Sequence, residues 1–327
     1  MLRVLVIAHI TKKGNDFAHP GIVDQIAALE RQGVCFERWG VQTGKKLSYL
    51  KTALKVFLLN FQKSRFDLIH AFYSLNGILA RLQFKYPIVV TLMGTDLLSN
   101  ERFYQQGGRD AIIGKWVARL VSEVIVRTQE MAKALPERKE HVHVIPSGIN
   151  TDIFKPYPLE AARKELGLPL NEKCILFPWD PARSEKRFSL VQEAVELLKG
   201  QFPTRIEVIY HQPREILAKY MNACDALVLA SAYEGSPVAV REALACGLPV
   251  ISVPVGDLIE YLPKIEGCYL CEDTPQDIAD KLQLVFARNK RIADQTISLL
   301  SADKTSREVL KVYQSVLKKQ KTENAKD

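Results

Sequence analysis

Long apolar runs are missing from this 327-residue chain. The longest, VFLLNF and ALVLA, fall far short of the roughly 18 residues that cross a bilayer, so no membrane span is expected. The opening MLRVLVIAHI is too short for a secretory leader. No small-residue cleavage site follows it and Lys12-Lys13 come at once, so it reads as a first buried strand. Cysteine is sparse: six thiols are scattered at 35, 174, 224, 246, 268 and 271, which argues for reduced thiols and a cytoplasmic protein rather than a disulfide framework. Cys268 and Cys271 have C-x-x-C spacing but lack the second pair or the histidine of a zinc set. On a strand a separation of three sends them to opposite faces, so they are read as packing residues. No metal is expected. Internal repeats and low-complexity segments are lacking too, apart from the charged tail KKQKTENAKD, read as frayed. With 47% hydrophobic and 25% charged residues, extensive disorder and fibrous classes are excluded.

Acidic residues are missing from one stretch altogether, between Glu37 and Asp67. There Lys45, Lys46, Lys51, Lys55, Lys63 and Arg65 accompany Leu47, Leu50, Leu54, Phe57, Leu58 and Phe61, the pattern of a basic amphipathic helix. Two readings are open for residues 45–65. One is an anionic membrane surface, with the protein peripheral on the inner face of the plasma membrane; the other is a core-packing helix with a solvated basic face. The net charge of +8 attracts anionic partners generally. Nucleic acid is not expected among them, because no aromatic-interleaved basic platform or recognised binding motif is present.

What the chain has in quantity is alternation. Short β-branched runs (RVLVIAH, VCFERWG, LIHAF, IVVTLM, EVIVRT, HVHVIPS) are separated by helical patterns such as Ile22 to Gln32, as in βαβ units with parallel sheets. A Pro-rich polar segment, GINTDIFKPYPLEAARKELGLP, then precedes a second series: CILFPW, helix 186–199, RIEVIYH, helix 213–222, ALVLAS, helix 237–246, PVISVP, CYLCE and helix 275–288. The fold class is therefore α/β, with two doubly wound parallel-sheet domains at 1–155 and 156–300. The last segment, 301–327, holds a helix over about 303–319 that either finishes the second domain or crosses back to the first.

One stretch carries the chemistry, YEGSPVAVREALACGLPVIS at 233–252. Ser236 suits the N-cap and Pro237 the first turn of a short helix, which Gly247 ends. Its free N–H groups lie at the carboxyl edge of a parallel sheet, where phosphates are favoured. Glu234 lies before the helix and Glu242 inside it, roughly 7 Å apart along the axis. An acid on each side of a phosphate site accepts hydroxyls from both ends of a ribose–diphosphate–hexose ligand, a nucleotide sugar. Cations for the phosphates are offered by DPARSEKRFSLV, as Arg183, Lys186 and Arg187 at a strand-to-helix turn.

At these residues the chain resembles the retaining GT-B glycosyltransferases of family 4, especially bacterial enzymes of surface-polysaccharide assembly of the teichuronic-acid type. Besides the E-x7-E of Glu234 and Glu242, the matching segments are FDLIHAFYSLNG, VVTLMGTDL, VIPSGINTDIFKP, SEKR, YMNACDALVLAS and VGDLIE. The resemblance implies two Rossmann-like domains facing a cleft, the first binding the acceptor and the second a nucleotide-sugar donor. It implies that Glu234 contacts the transferred hexose and Glu242 the ribose, with Gly235, Ser236, Pro237 and Val238 over sugar and diphosphate. Arg183 and Lys186 would hold the diphosphate, Glu234 would be catalytic, and His19 and Gly21 would face a glycan or lipid-linked acceptor. Two further candidates have an alternative each: His70 is a second catalytic residue or a strand-end histidine, and Asp96 lies on the acceptor side or caps a turn. Transfer with retention, by front-face attack and without metal or other cofactor, is the implied reaction. The chain departs from the pattern at Asp180-Pro181, where relatives carry Gly-Arg, and at Met93, where many carry His. It also lacks a strand-helix unit after helix 186–199, which makes Tyr210 and His211 candidates for the nucleotide base.

Three rivals remain at this point. A carboxylate pair also serves glycoside hydrolases, although a helix start beside basic residues is not something they require. A sugar-nucleotide epimerase shares the GT-B fold, and a non-catalytic sugar-nucleotide-binding or membrane-surface protein would keep the site without the turnover.

Overall fold

The computed structural model describes residues 1–11, 17–98, 107–292 and 301–324. They fall into two compact units, Met1–Gly148 with Ala302–Asp327, and Ile149–Ser301. The end of the charged tail, 325–327, lies outside the described residues.

In the first unit, β1 (Leu2–Ile10), α1 (Pro20–Arg31), β2 (Val34–Gln42), α2 (Lys46–Leu58), β3 (Leu68–Phe72), α3 (Ser74–Ala80), β4 (Ile88–Thr91), α4 (Gly107–Leu120), β5 (Glu123–Val126), α5 (Gln129–Lys133) and β6 (Val142–Val144) follow one another. The strands form a parallel sheet in the order β2-β1-β3-β4-β5-β6. Both faces are covered, which is why Val4 to Ala8 are apolar without a break and all fully buried. The two-residue period of the strand then sorts them. Val4, Val6 and Ala8 pack with Ile22, Ile26 and Leu29 of α1, while Leu5 and Ile7 pack with Val56, Leu79 and Val117 of α2, α3 and α4. Val309, Val312, Tyr313 and Val316 complete the α1 side. They come from the last helix of the chain, Ala302–Asn324, which packs on α1.

Helix α2 packs inward through Thr52 and Val56, with Tyr49 and Ala53 partly buried against the same core. Its leucines do not. Leu47, Leu50, Leu54 and Phe57 are exposed, so the core-packing reading holds for one stripe of this helix and fails for the other.

The second unit contains α6 (Leu159–Leu166), β7 (Lys173–Phe177), α7 (Phe188–Leu197), β8 (Thr204–Val208), α8 (Arg214–Ala223), β9 (Ala226–Leu229), α9 (Val238–Ala245), β10 (Val250–Ser252), α10 (Leu258–Tyr261), β11 (Tyr269–Leu270) and α11 (Pro275–Arg288). The last helix, Ala302–Asn324, is α12. The sheet is again parallel, ordered β11-β10-β9-β7-β8. α8 and α9 cover one face and α7 and α11 the other. Cys268 sits in the first of these two layers and Cys271 in the second, on opposite faces as their spacing requires. All six cysteines are free thiols.

Each sheet has a point where its strand order reverses, between β1 and β3 and between β7 and β9. Loops leaving the carboxyl ends of such a strand pair diverge to opposite faces and open a crevice, the usual ligand position in this architecture.

Candidate functional site

In the second unit the crevice loops are 178–187, after β7, and 230–237, after β9. They are tied together by main chain, with Ala232 N–H donating to the Glu185 carbonyl at 2.8 Å. Arg187 is held left-handed at φ 50° and donates through Nε to the Ala230 carbonyl at 2.5 Å. This sets the residue before it. Lys186, 6% exposed, directs Nζ to Glu234 Oε1 at 2.5 Å and lies 5.1 Å from the centre of the Trp179 ring.

Glu242 lies one turn inside α9. It is 4% exposed and accepts from Arg214 Nη2 at 2.7 Å. Arg214 opens α8 and lies 4.9 Å over the Phe154 ring. Each of the two acids thus holds a cation, Glu234 from within the loop that leads into α9 and Glu242 from inside the helix itself. Such an arrangement presents positive groups and helix N–H donors to a phosphate, and carboxylates to hydroxyls beside it.

The start of α9 differs from the expected one. Pro237 occupies the cap position with extended backbone, Val238 is the first helical residue, and Ser236 supplies no side-chain cap. The loop is held instead from β10's side. Asp257 N–H donates to the Gly235 carbonyl at 3.1 Å, and Gly256, at φ 56°, passes so close that a Cβ there would meet that oxygen at 2.2 Å. Behind the loop, buried Arg241 of α9 bonds buried Asp257 and lies 5.3 Å from the Tyr261 ring. Burial raises the Asp257 pKa, with the Arg241 charge pulling against it.

Arg183 does not join this group. Its Nε donates to Glu185 Oε1 at 2.6 Å, and the side chain is 54% exposed, because a carboxylate two residues away satisfies it locally. The second cation is Arg214, which sequence reasoning passed over. The available signal was a basic residue opening the helix after RIEVIYHQP, at the ligand edge. Tyr210 and His211 stand past the end of β8, Tyr210 40% exposed and His211 left-handed at φ 55°, their rings 5.2 Å apart.

In the first unit, two of the candidates prove to be structural. His70 is 1% exposed; Nδ1 meets Tyr313 Oη at 2.6 Å, Nε2 meets Thr91 Oγ1 at 2.7 Å, and the ring stacks on Phe72. With both nitrogens engaged it has no atom left for a substrate, and burial lowers its pKa to about 3. His70 is therefore corrected from a catalytic to a core residue. Asp96, 5% exposed, accepts from the N–H groups of Ser74, Met93 and Gly94 at 3.1, 2.8 and 3.0 Å. Its carboxylate fastens the loop after β4 to the start of α3, which takes it out of the acceptor-facing set.

His19 and Gly21 stay at the crevice edge. His19 precedes α1, its Nδ1 is buried without a partner, and burial, aided by the Arg127 charge, brings its pKa to about 4. Gly21 is buried between the His19 ring and Ser147. Two neighbours were missed. Tyr73, after β3, has φ 72° and ψ 151°, a conformation nearly confined to glycine, and stacks on His9 at 4.7 Å. Tyr49 Oη lies 3.1 Å from His9 Nε2. Strain in a bulky residue at a crevice edge is seldom accidental.

Known proteins share both halves of this pattern. Residues 3–153 match the family described as Glycosyltransferase Family 4, and residues 184–288 that described as Glycosyl transferases group 1. Together the two matches span most of the chain, and both families are glycosyltransferases. Among the relatives of the chain is the D-inositol 3-phosphate glycosyltransferase of Thermobispora bispora, 25% identical over 261 residues, covering 66% of this chain and 60% of the relative. The putative teichuronic acid biosynthesis glycosyltransferase TuaC of Bacillus subtilis is 30% identical over 244 residues, covering 66% and 60%. The chain thus spans less than two thirds of either relative's length. Anabaena HepE, solved in complex with UDP-glucose, shares the fold at a TM-score of 0.68 with 17% identity, covering 98% of this chain and 100% of that one. The architecture is GT-B, two parallel sheets with flanking helices.

Proposed function

We propose that the protein is a retaining glycosyltransferase, moving a hexose from a nucleoside-diphosphate sugar to a hydroxyl of a glycan or lipid-linked acceptor in cell-surface polysaccharide synthesis. The observation that carries this is the pairing of Lys186 with Glu234, in the loop that leads into α9, and of Arg214 with Glu242, inside that helix. When the donor enters, its diphosphate draws Lys186 and Arg214 through charge-assisted bonds. Glu234, relieved of its cation, then accepts a hydroxyl of the hexose, and Glu242 accepts from the ribose. In the transfer step the bond from C1 to the diphosphate oxygen breaks with its electron pair leaving on the phosphate. The acceptor oxygen bonds to C1 from the same face, and its proton passes to the departing phosphate. Lys186 and Arg214 stabilise the negative charge that develops there, the largest contribution such a site can make.

The matches to two glycosyltransferase families and HepE's UDP-glucose support a nucleotide-sugar donor. The acceptor places the work in the cytoplasm, at the inner face of the plasma membrane. Thermal shift with UDP-, GDP- and ADP-sugars should raise the melting point for one nucleotide series, because a ligand bound only by the folded protein stabilises it. With that donor, transfer to a sugar acceptor should give an anomer of the donor's configuration. Release of an epimerised sugar nucleotide without acceptor, or no melting response to any donor, would refute the proposal.

A further inference from the structure

The first unit carries an apolar face that its own core leaves uncovered. On α2 the buried stripe is Tyr49, Thr52, Ala53 and Val56. A second stripe recurs at helical spacing through Leu47, Leu50, Leu54, Phe57 and Leu58 to Phe61 in the following turn, with Phe61 75% exposed. At 3.6 residues per turn it covers an arc of about 100°, the width of a face that normally packs against something. Along one flank of it run Lys51 and Lys55, both exposed, with Lys55 Nζ 5.9 Å from the centre of the Trp39 ring.

The face continues past the helix. Asn60 ties the 82–85 turn to α2's end, donating to the Leu82 carbonyl at 3.1 Å and accepting from Phe84 N–H at 2.9 Å. This turn adds Phe84, 76% exposed, with the Arg81 guanidinium 5.0 Å from its ring. Lys85 is fastened to the Gln62 carbonyl. The result is a fixed platform, with exposed aromatics at its end and lysines along its flank.

We propose that this face of the first unit, α2 with Phe61 and Phe84, docks on an anionic lipid surface. The apolar stripe enters the acyl boundary while Lys46, Lys51, Lys55 and Lys63 remain at the headgroups, the division of labour of an interfacial helix. Charge selects this occupant over a second copy of the chain. Between Glu37 and Asp67 there is no acid, so two such faces brought together would set lysines against lysines. The proposal names the partner in the membrane part of the reading above. It does not depend on the transfer reaction, which a soluble acceptor tests separately.

The test is co-sedimentation with vesicles of phosphatidylcholine alone and of phosphatidylcholine mixed with phosphatidylglycerol. The full chain should pellet with the mixed vesicles only, and less as salt is raised. Lys51→Glu/Lys55→Glu should weaken binding by about tenfold or more, as expected for basic residues near an anionic surface. Leu54→Gln/Phe57→Gln should weaken it comparably at unchanged salt sensitivity. Both variants alter exposed positions, so melting temperature and donor response should match the parent. Equal pelleting with both vesicle types, pelleting with neither, or a dimer that Leu54→Gln/Phe57→Gln dissolves would overturn the proposal.

Discussion

Individual side chains in this protein divide by whether the fold has already used them. His70 and Asp96 are committed to neighbours inside the fold, whereas Glu234 and Glu242 each hold a cation that a phosphate can compete for. Glu234→Gln should lower the turnover of transfer by about a hundredfold while leaving donor affinity within a few fold, a loss of the size seen on removing one group that stabilises a transition state. Arg214→Gln should weaken donor binding by about tenfold, the worth of one charged hydrogen bond; titration with the nucleoside diphosphate would measure it. The same distinction fixes a pH dependence. His70 and His19 are neutral in the folded chain, at about 3 and about 4, against 6.5 when exposed. The unfolded chain therefore binds more protons as pH falls below 6.5, and stability declines on the acid side at up to about 1.4 kcal/mol per unit for each histidine. Urea midpoints at pH 7 and pH 5 should show it, and His70→Gln should flatten the slope by about one proton. The sequence disclosed Glu234, Glu242 and Lys186 because their motif is local. It could not disclose what His70 does, since the hydroxyl that claims it, Tyr313, lies 243 residues away. Arg214 escaped for a like reason, its carboxylate being 28 residues distant.

Elements behaved more regularly. LIHAF was expected as a strand and is β3, and 275–288 was expected as a helix and is α11, because each has the right period and clear end signals in its own few residues. The start of α9 was misjudged by one position, since the deciding interaction comes from another element: Asp257 and Gly256 hold Gly235 from outside. Gly256→Ala would put a methyl group against a carbonyl oxygen at a positive φ, a strain of about 1–3 kcal/mol. The unfolding free energy from denaturant melts should fall by that amount, and donor affinity should fall with it because the displaced loop carries Glu234. Arg241→Met, leaving Asp257 buried without its partner, should cost about 3–5 kcal/mol. Amphipathic α2 teaches the converse lesson. Its composition announced two faces, yet only the packed structure tells which apolar stripe the core takes and which it leaves.

At the scale of the molecule, the chain's two ends meet in one unit. Val309, Val312, Tyr313 and Val316 are buried against the β1 face, and each buried side chain of this kind contributes about 1.5–3 kcal/mol. Their sum is comparable to the whole stability of an ordinary domain. A chain ended at Ser301 should therefore lose the first unit's cooperative melting transition while the second unit keeps its own. Calorimetry would resolve the two. No helix among the described residues is long and apolar enough to cross a bilayer. The placement of α12 also bears on synthesis. The sheet translated first waits for residues translated after the whole second unit, so on the ribosome the later-made unit can close before the earlier one, and a nascent β1 face needs shelter until α12 has emerged.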